Sequence, residues 1–349
     1  MTMTHTSKRI LVTGGAGFIG SALVRHLIDN TEHTVLNVDK VTYAGNLANL
    51  ASVQSHDAYS FAMGDICDQR ALLEAMPHGA DAIVHFAAES HVDRSISGAA
   101  EFILTNVLGT QMLLDVARQR KVKRFLHIST DEVGGSMAPS EWFHEDSPLD
   151  PRSPYSASKA AAEHLVRAAG ATFGLDYVIT RSSNNYGPFQ FPEKLLPLAI
   201  CNAMQNNPIP VYGDGLQVRD WIHVADNCRA LMEVLRHGKS GETYHVGSGE
   251  PRENLYVLRK LLHIMRKPES LLVHGKDRLG HDRRYAVSCE KLEREIGWTR
   301  KIALQDGLLE TIQWYQQNPR WIQAVQHRNK PISTPLPLST SSFEKVAAC

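Results

Sequence analysis

Short apolar runs alternate with stretches of helical period through the first half of the chain. Arg9–Thr13, Thr34–Asp39, Tyr59–Met63, Ala82–Phe86, Phe125–Ser129 and Tyr177–Thr180 have the length and apolar density of buried strands. Between them, Phe18–Asp29 places Phe18, Ala22, Leu23 and Leu27 on one helix face, and Ala71–Met76, Phe102–Arg118 and Tyr155–Phe173 read as further helices. Repeated strand–helix–strand units predict an α/β fold, a Rossmann-type doubly wound parallel sheet over residues 1–185 with helices on both faces. Ligands of such a sheet bind at the carboxyl ends of its strands. After Arg181 the alternation loosens. Pro188, Pro192, Pro197, Pro208 and Pro210 crowd a stretch that also holds Gly187, Gly213 and Gly215. This predicts a smaller, mixed substrate-binding region over 186–330. A segment, 218–240, returns to the first domain through the helix Val224–Leu235. Tyr256–Met265, Glu290–Ile296 and Leu304–Tyr315 are helices of the second region, and the Ser-, Thr- and Pro-rich stretch 331–349 reads as a disordered tail.

Charge narrows the partners. Lys plus Arg and Asp plus Glu both number 37 in 349 residues, so no net charge draws the chain to nucleic acid or to an acidic membrane. No apolar run reaches membrane-spanning length, and the polar start Met1–Arg9 lacks the apolar core of a signal peptide, so a cytoplasmic protein is expected. Cys67, Cys201, Cys228, Cys289 and Cys349 form no CxxC pair, and the 17 histidines form no HxH or HExxH pattern, so no metal is expected.

Two local patterns carry chemistry. Gly14, Gly17 and Gly20 form GxxGxxG directly after the first strand, with Phe18 and Ile19 opening the first helix. Glycines there let the backbone approach a pyrophosphate, and the helix N-terminus supplies unpaired N–H groups. Asp39 ends the second strand, at the spacing of about 20 residues where a carboxylate meets the ribose hydroxyls of NAD and repels the 2′-phosphate of NADP; Lys40 beside it pulls the other way. Tyr155 and Lys159 stand at i and i+4, on one helix face, where an ammonium favours the phenolate and makes Tyr155 a base for a hydroxyl.

With Ser129-Thr130 at the end of the fifth strand, these residues resemble the extended short-chain dehydrogenase/reductase superfamily. HFAAESHVDRSI (85–96), STDEV (129–133), SPYSASKAAAEHLV (153–166), RSSNNYGPFQFPEKLLPL (181–198), VYGDGLQVRDWIHV (211–224) and GHDRRYAV (280–287) narrow the likeness to nucleoside-diphosphate-sugar 4,6-dehydratases, from residue 8 to about residue 320. The resemblance implies NAD as cofactor, held also by Asp65, Ile66, Ala87, Ala88 and Asn106. It implies a nucleotide-sugar substrate, dTDP-glucose, converted to the 4-keto-6-deoxy sugar. Tyr155, helped by Thr130, would take the 4-hydroxyl proton, Glu132 the C5 proton, and protonated Asp131 would release the C6 hydroxyl as water. Ser90, Asn184, Glu193, Lys194 and Leu195 would line the sugar–diphosphate site. Val211, Tyr212, Arg219, Arg283 and Tyr285 would flank phosphate and base, guanidinium forks suiting phosphate oxygens.

Three positions depart from the family pattern: Gly134 stands where Tyr is usual, Leu279 where Pro is usual, and Gly249-Glu250 where some relatives place an Asn. Loss of the ring at 134 predicts a wider pocket or a looser loop. A UDP-sugar dehydratase, 4-epimerase or decarboxylase on the same scaffold is the alternative, opposed by the retained Asp131-Glu132 pair; a non-catalytic NAD-binding protein is opposed by the intact Thr130, Tyr155 and Lys159. Relatives imply a homodimer through Phe102–Arg118 and Tyr155–Phe173.

Overall fold

A computed structural model describes residues 7–328, so the stretch 331–349 read as a tail lies outside the described residues. Seven parallel strands form the central sheet: β1 (Arg9–Thr13), β2 (Thr34–Asp39), β3 (Tyr59–Met63), β4 (Ala82–His85), β5 (Arg124–Thr130), β6 (Tyr177–Ser182) and β7 (Thr243–Val246). Their order is β7-β6-β5-β4-β1-β2-β3. The chain therefore winds outward from β1 in one direction, then returns to β4 and winds the other way, which opens a crevice between β1 and β4. The strands are short and apolar because both faces are covered. On one face Ile10, Val12, Val84, Leu126 and Val178 pack with Leu23 and Leu27 of the first helix. On the other, Leu11, Ile83, Phe125 and Ile179 meet Leu113, Val116 and Val166.

The helix Val224–His237 returns to the first of these faces through Val224, Leu231 and Val234. β7 follows it and pairs with β6, adding a strand beyond the 218–240 segment. A separate core holds Leu196, Ile200, Val257, Leu261, Leu308 and Tyr315, contributed by helices Leu195–Met204, Asn254–Met265 and Leu304–Gln317. The first of these helices was hidden in the sequence by its proline, yet Pro197 sits in the first turn, where the missing N–H costs nothing. The expected helix Phe102–Arg118 is interrupted by a π-helical stretch, Ile103–Gly109. Asn106 lies in that stretch, and its side chain joins the backbone of Glu89 (2.8 and 3.0 Å) to Ser158 Oγ (2.8 Å), tying the crevice wall to the long helix Pro154–Phe173.

Candidate active site

A cleft of about 430 Å³ opens where the strands end. Gly14 after β1, Asp39 of β2, Asp65 after β3, Ala87 after β4, Thr130 of β5 and Ser182 of β6 all line it. At its floor the glycine loop is packed against the switch point. Gly14 has φ +72, and a Cβ there would lie 2.6 Å from Ala87 N; one at Gly20 would lie 2.3 Å from Gly14 O. Backbone this close admits no side chain, and the helix it feeds, Phe18–Asn30, has no side-chain cap on its first-turn N–H groups. Uncapped N–H groups at a bare loop form the cradle that a pyrophosphate needs. Asp39 is buried and oriented by accepting from the N–H of Ala16 (2.8 Å) and Val41 (2.7 Å). Burial raises its pKa against those two donors. Lys40 is ion-paired with Asp65 at 2.6 Å, so its charge is engaged by a carboxylate. Phe18, Ile19, Ile66 and Ala88 line the same cleft, whereas Asn106 supports it from behind.

The reactive end lies under β5. Thr130 closes the strand, and its hydroxyl caps the short turn Asp131–Gly134 by accepting from Glu132 N at 3.3 Å. The same hydroxyl donates to Asp131 Oδ1 at 3.2 Å. Gly135 must follow with φ +70, because a Cβ there would meet Asp150 O at 2.3 Å. Asp131 is buried, and burial, then the neighbouring Glu132 charge, push its carboxyl up to about 8. Burial also raises Glu132, but Lys194, Arg219 and Arg278 oppose the rise. The two adjacent carboxyls therefore sit in different fields. Opposite them, helix Pro154–Phe173 presents Tyr155 and Lys159 one turn apart, fixed at its start by a Ser153–Ser156 capping box. Lys159 Nζ donates to Ile128 O at 2.7 Å, and burial lowers its pKa to about 8 against the pull of Glu163. Burial and the Glu132 charge push the Tyr155 phenol up, with Thr130 opposing them, so the lowering expected from Lys159 is not found.

Ser90, Asn184, Glu193 and Lys194 complete the wall. Lys194 Nζ donates to Ser90 O at 2.9 Å, and Glu193 lies 3.7 Å from both His91 and Arg94. Leu195 and Val211 are not brought to the cleft. Both are apolar, and they pack into or against the second core instead. Tyr212, Arg219, Arg283 and Tyr285 also stand off its wall. Tyr212 bonds Asp93 (3.2 Å), and half-exposed Arg283 pairs with Asp214 (2.8 Å). Arg219 is buried, donates to the carbonyls of Val218 and Asp282 and stacks over Tyr285 at 4.2 Å, so its charge acts on Asp131 and Glu132 through space. Six polar atoms on the wall, Ser129 Oγ, Asp131 Oδ2, Ser183 Oγ, Asn184 Oδ1, Asn185 Oδ1 and Gln190 Oε1, are buried without a protein partner. Buried acceptors are ordinarily satisfied, so this cluster suits a polyhydroxylated guest. Asn185, Gln190, Phe191 and Ser183 were not singled out from sequence, although all lie inside the 181–198 stretch.

The ring missing at Gly134 is replaced from elsewhere. A Cβ at 134 would lie 2.6 Å from the Phe143 ring, which is itself buried and stacked on His245 at 4.8 Å. The expected widening does not arise there, because the Phe143 ring occupies the space beside the bare backbone. Leu279 is 74% exposed, and Glu250 is tied to Arg300.

A family model described as GDP-mannose 4,6 dehydratase matches residues 11–311. The chain belongs to this family. Within it, the chain is 47% identical to a dTDP-glucose 4,6-dehydratase of Shigella flexneri, covering 91% of this chain and 95% of that protein. A dTDP-glucose 4,6-dehydratase of Streptomyces venezuelae, crystallised with NAD bound, superposes with a TM-score of 0.88 at 47% identity, covering 91% of this chain and 99% of that one. The family's fold is shared more widely. A UDP-glucose 4-epimerase of Thermus thermophilus in complex with NAD reaches a TM-score of 0.82 at 30% identity, over 89% of this chain and 99% of that one. The sheet, helices and second core are thus common to dehydratases and epimerases, and the chemistry must be argued from the side chains at the end of β5.

Proposed function

We propose that this chain converts dTDP-glucose to dTDP-4-keto-6-deoxyglucose. It is an NAD-dependent nucleotide-sugar 4,6-dehydratase, a hydro-lyase. The observation that carries the reading is the Asp131–Glu132 pair: two adjacent carboxyls in one cleft with Tyr155, held in different fields. Oxidation at C4 needs one base; elimination across C5–C6 needs a second base and an acid. NAD, held by the glycine loop and Asp39, would supply the hydride acceptor for C4 and the donor for C6. Tyr155 takes the 4-hydroxyl proton, with Lys159 one helical turn along the same helix and anchored on Ile128 O. The ketone acidifies C5, and Glu132, which three cations favour as carboxylate, takes that proton. Asp131, kept protonated by burial and by Glu132, gives its proton to the departing C6 hydroxyl. Incubation with dTDP-glucose and detection of the alkali-sensitive absorbance of a 4-keto sugar tests the reading. Formation of the C4 epimer, or of a decarboxylated sugar from a UDP-uronic acid, in its place overturns it.

Residues 1–185 with the return segment serve the cofactor in this reading, and 186–330 serve the nucleotide sugar. Asp39 makes the cofactor NAD rather than NADP: protein denatured after purification should release chiefly NAD, and recovery of NADP as the main dinucleotide would count against Asp39 as the ribose ligand.

The alkaline limb of the pH profile follows from two groups. Asp131 works as the acid form and Lys159 as the ammonium, and both lose their protons near pH 8. The phenolate fraction of Tyr155, whose pKa is raised, grows with pH, so kcat/KM should rise up to that pH and fall beyond it, where the two losses outweigh the gain. A profile that stays flat well beyond it would contradict both assignments.

The protein is a cytoplasmic homodimer in this reading. No described helix is long and apolar enough to cross a membrane, and Cys67, Cys201, Cys228 and Cys289 are free thiols. Ile103, Leu104, Leu108 and Phe173 are 43 to 55% exposed on the stretch 103–119 and the helix Pro154–Phe173. Exposed apolar side chains on two neighbouring helices, Ile103, Leu104 and Leu108 near the start of one and Phe173, under Arg118, at the end of the other, fit the same pair of a second copy across a two-fold axis. Light scattering should give twice the chain mass at micromolar concentration, and Leu104→Glu with Leu108→Glu should halve it. A monomer mass for the parent protein would refute the dimer.

A further inference from the structure

The hydride taken from C4 is the one delivered to C6. A site that released its dinucleotide between the two transfers would be left with a keto sugar and no reductant. Retention of the dinucleotide through the whole cycle is therefore a demand that the reaction places on the protein. Binding on the floor of the cleft meets one part of it, and closure above meets the other.

A short segment of the second region, Phe189–Glu193, is pinned to three separate elements of the cofactor domain. Phe191 and Glu193 line the cleft themselves. The Phe189 ring lies under the Arg25 guanidinium at 4.3 Å, and Arg25 belongs to the helix Phe18–Asn30 that leads away from the glycine loop. The Phe191 ring meets the Tyr43 ring edge-on at 5.8 Å. Tyr43 stands on the loop 40–46, which follows Asp39; its neighbours Thr42 and Ala44 line the cleft, and Asn46 N donates to Ala16 O in the glycine loop at 2.8 Å. Glu193 lies 3.7 Å from His91 and from Arg94, at the helix Val92–Ser97. Arg94 closes the circuit, with its guanidinium 3.6 Å from the centre of the Tyr43 ring.

The segment is gripped from its own side as well. Phe189 has φ +69, a strained backbone for an aromatic residue, and its ring packs on Trp314 at 4.5 Å. Gln190 O accepts from the Tyr315 hydroxyl. Strained backbone persists where its surroundings over-determine it, and here both domains do so. Depth differs along the contacts: Phe191 is buried, Tyr43 half-buried and Arg94 exposed. The outer partners can part without opening either core.

We propose that Phe189–Glu193 is a bar across the cofactor half of the cleft, and that Tyr43, set between Phe191 and Arg94, is the latch that retains the dinucleotide from one turnover to the next. Tyr43 acts through those two neighbours, so it is a positioning residue. The proposal rests on the dehydratase reading, in which one dinucleotide must serve both hydride transfers.

Tyr43→Ala removes the latch, Tyr43→Phe keeps its ring, and Phe191→Leu keeps bulk on the bar without the ring edge. Each purified protein is desalted, its dinucleotide is counted per chain after denaturation, and release is followed by exchange against excess isotope-labelled NAD. The parent and Tyr43→Phe should keep their dinucleotide alike. Tyr43→Ala should release it about tenfold faster or more, the scale of an aromatic pair lost together with a cation–π contact. Phe191→Leu should also speed release, and the double variant should be no faster than Tyr43→Ala, because the second change removes a contact already broken. With dTDP-glucose present, lactate dehydrogenase and pyruvate should convert NADH escaping from Tyr43→Ala into a steady yield of lactate that the parent does not give. Release from Tyr43→Ala at the parent's rate, or a double variant in which the two effects multiply, overturns the latch. Retention is measured without substrate, so a parent protein that forms no 6-deoxy product refutes the functional reading instead, and the two failures are told apart. Circular dichroism identical to the parent shows that the variants are folded.

Discussion

Glu132→Gln is expected to keep oxidation at C4 and lose dehydration. The substitution leaves size and turn geometry in place, since the turn Asp131–Gly134 is capped through the backbone N–H of residue 132 and not through its side chain. An amide cannot accept the C5 proton, and loss of a general base costs about 10²–10⁴-fold. Tyr155, Thr130 and Lys159 are untouched, so the 4-keto sugar with its C6 hydroxyl still in place should build up on the enzyme. Trapping with borodeuteride should label C4 in that species, and the 6-deoxy product should fall by the factor above. Uptake of deuterium from heavy water at C5 should fall with it. Near-normal dehydration in this variant would remove Glu132 as the base and, with it, the main ground for preferring a dehydratase to an epimerase.

Tyr155→Phe should fail one step earlier. The phenol is the base for the 4-hydroxyl, and its ring, edge-on to Phe102 at 6.3 Å, can be kept while the oxygen is removed. The expected loss is again about 10²–10⁴-fold, but here no 4-keto sugar forms and borodeuteride finds nothing to label. Lys159→Met should behave alike, with a larger stability cost, because it also leaves Ile128 O unpaired in a buried site. Unfolding cannot produce one variant that stalls after oxidation and another that stalls before it. Identical trapping yields from the two would therefore overturn the division of roles.

Much of the site was readable because its parts are local. β1, β2 and β3 have the bounds that the apolar runs predict, and the helix Pro154–Phe173 differs from the expected Tyr155–Phe173 by one residue. The glycine loop was legible because GxxGxxG lies between a strand and a helix, and the Tyr155–Lys159 pair because helical geometry alone puts i and i+4 on one face. Less legible were elements set by distant partners. Thr243–Val246 is four residues long and becomes a strand by finding β6, more than sixty positions away. The π-helical stretch Ile103–Gly109 had no signal in the spacing either, and at its end Gly109 packs so closely that a Cβ there would lie 2.6 Å from Ile66.

The sequence by itself determined the order of the first six sheet strands and the helices between them, the cofactor loop, and which residue types stand at the end of β5, since each depends on periodicity or spacing within one segment. Only the tertiary structure decided what those residues experience. The field on Glu132 is made by Lys194, Arg219 and Arg278, which reach it from three separate segments. Arg219 is held on carbonyls of Val218 and Asp282 and against the Tyr285 ring, and Arg283 is held by Asp214, so two arginines of similar promise in sequence end in different places. The space that Gly134 leaves is filled by Phe143, nine positions on in the chain, which no spacing rule connects to it. Electrostatic fields and packing act through space, and where the chain crosses itself is settled by the fold as a whole.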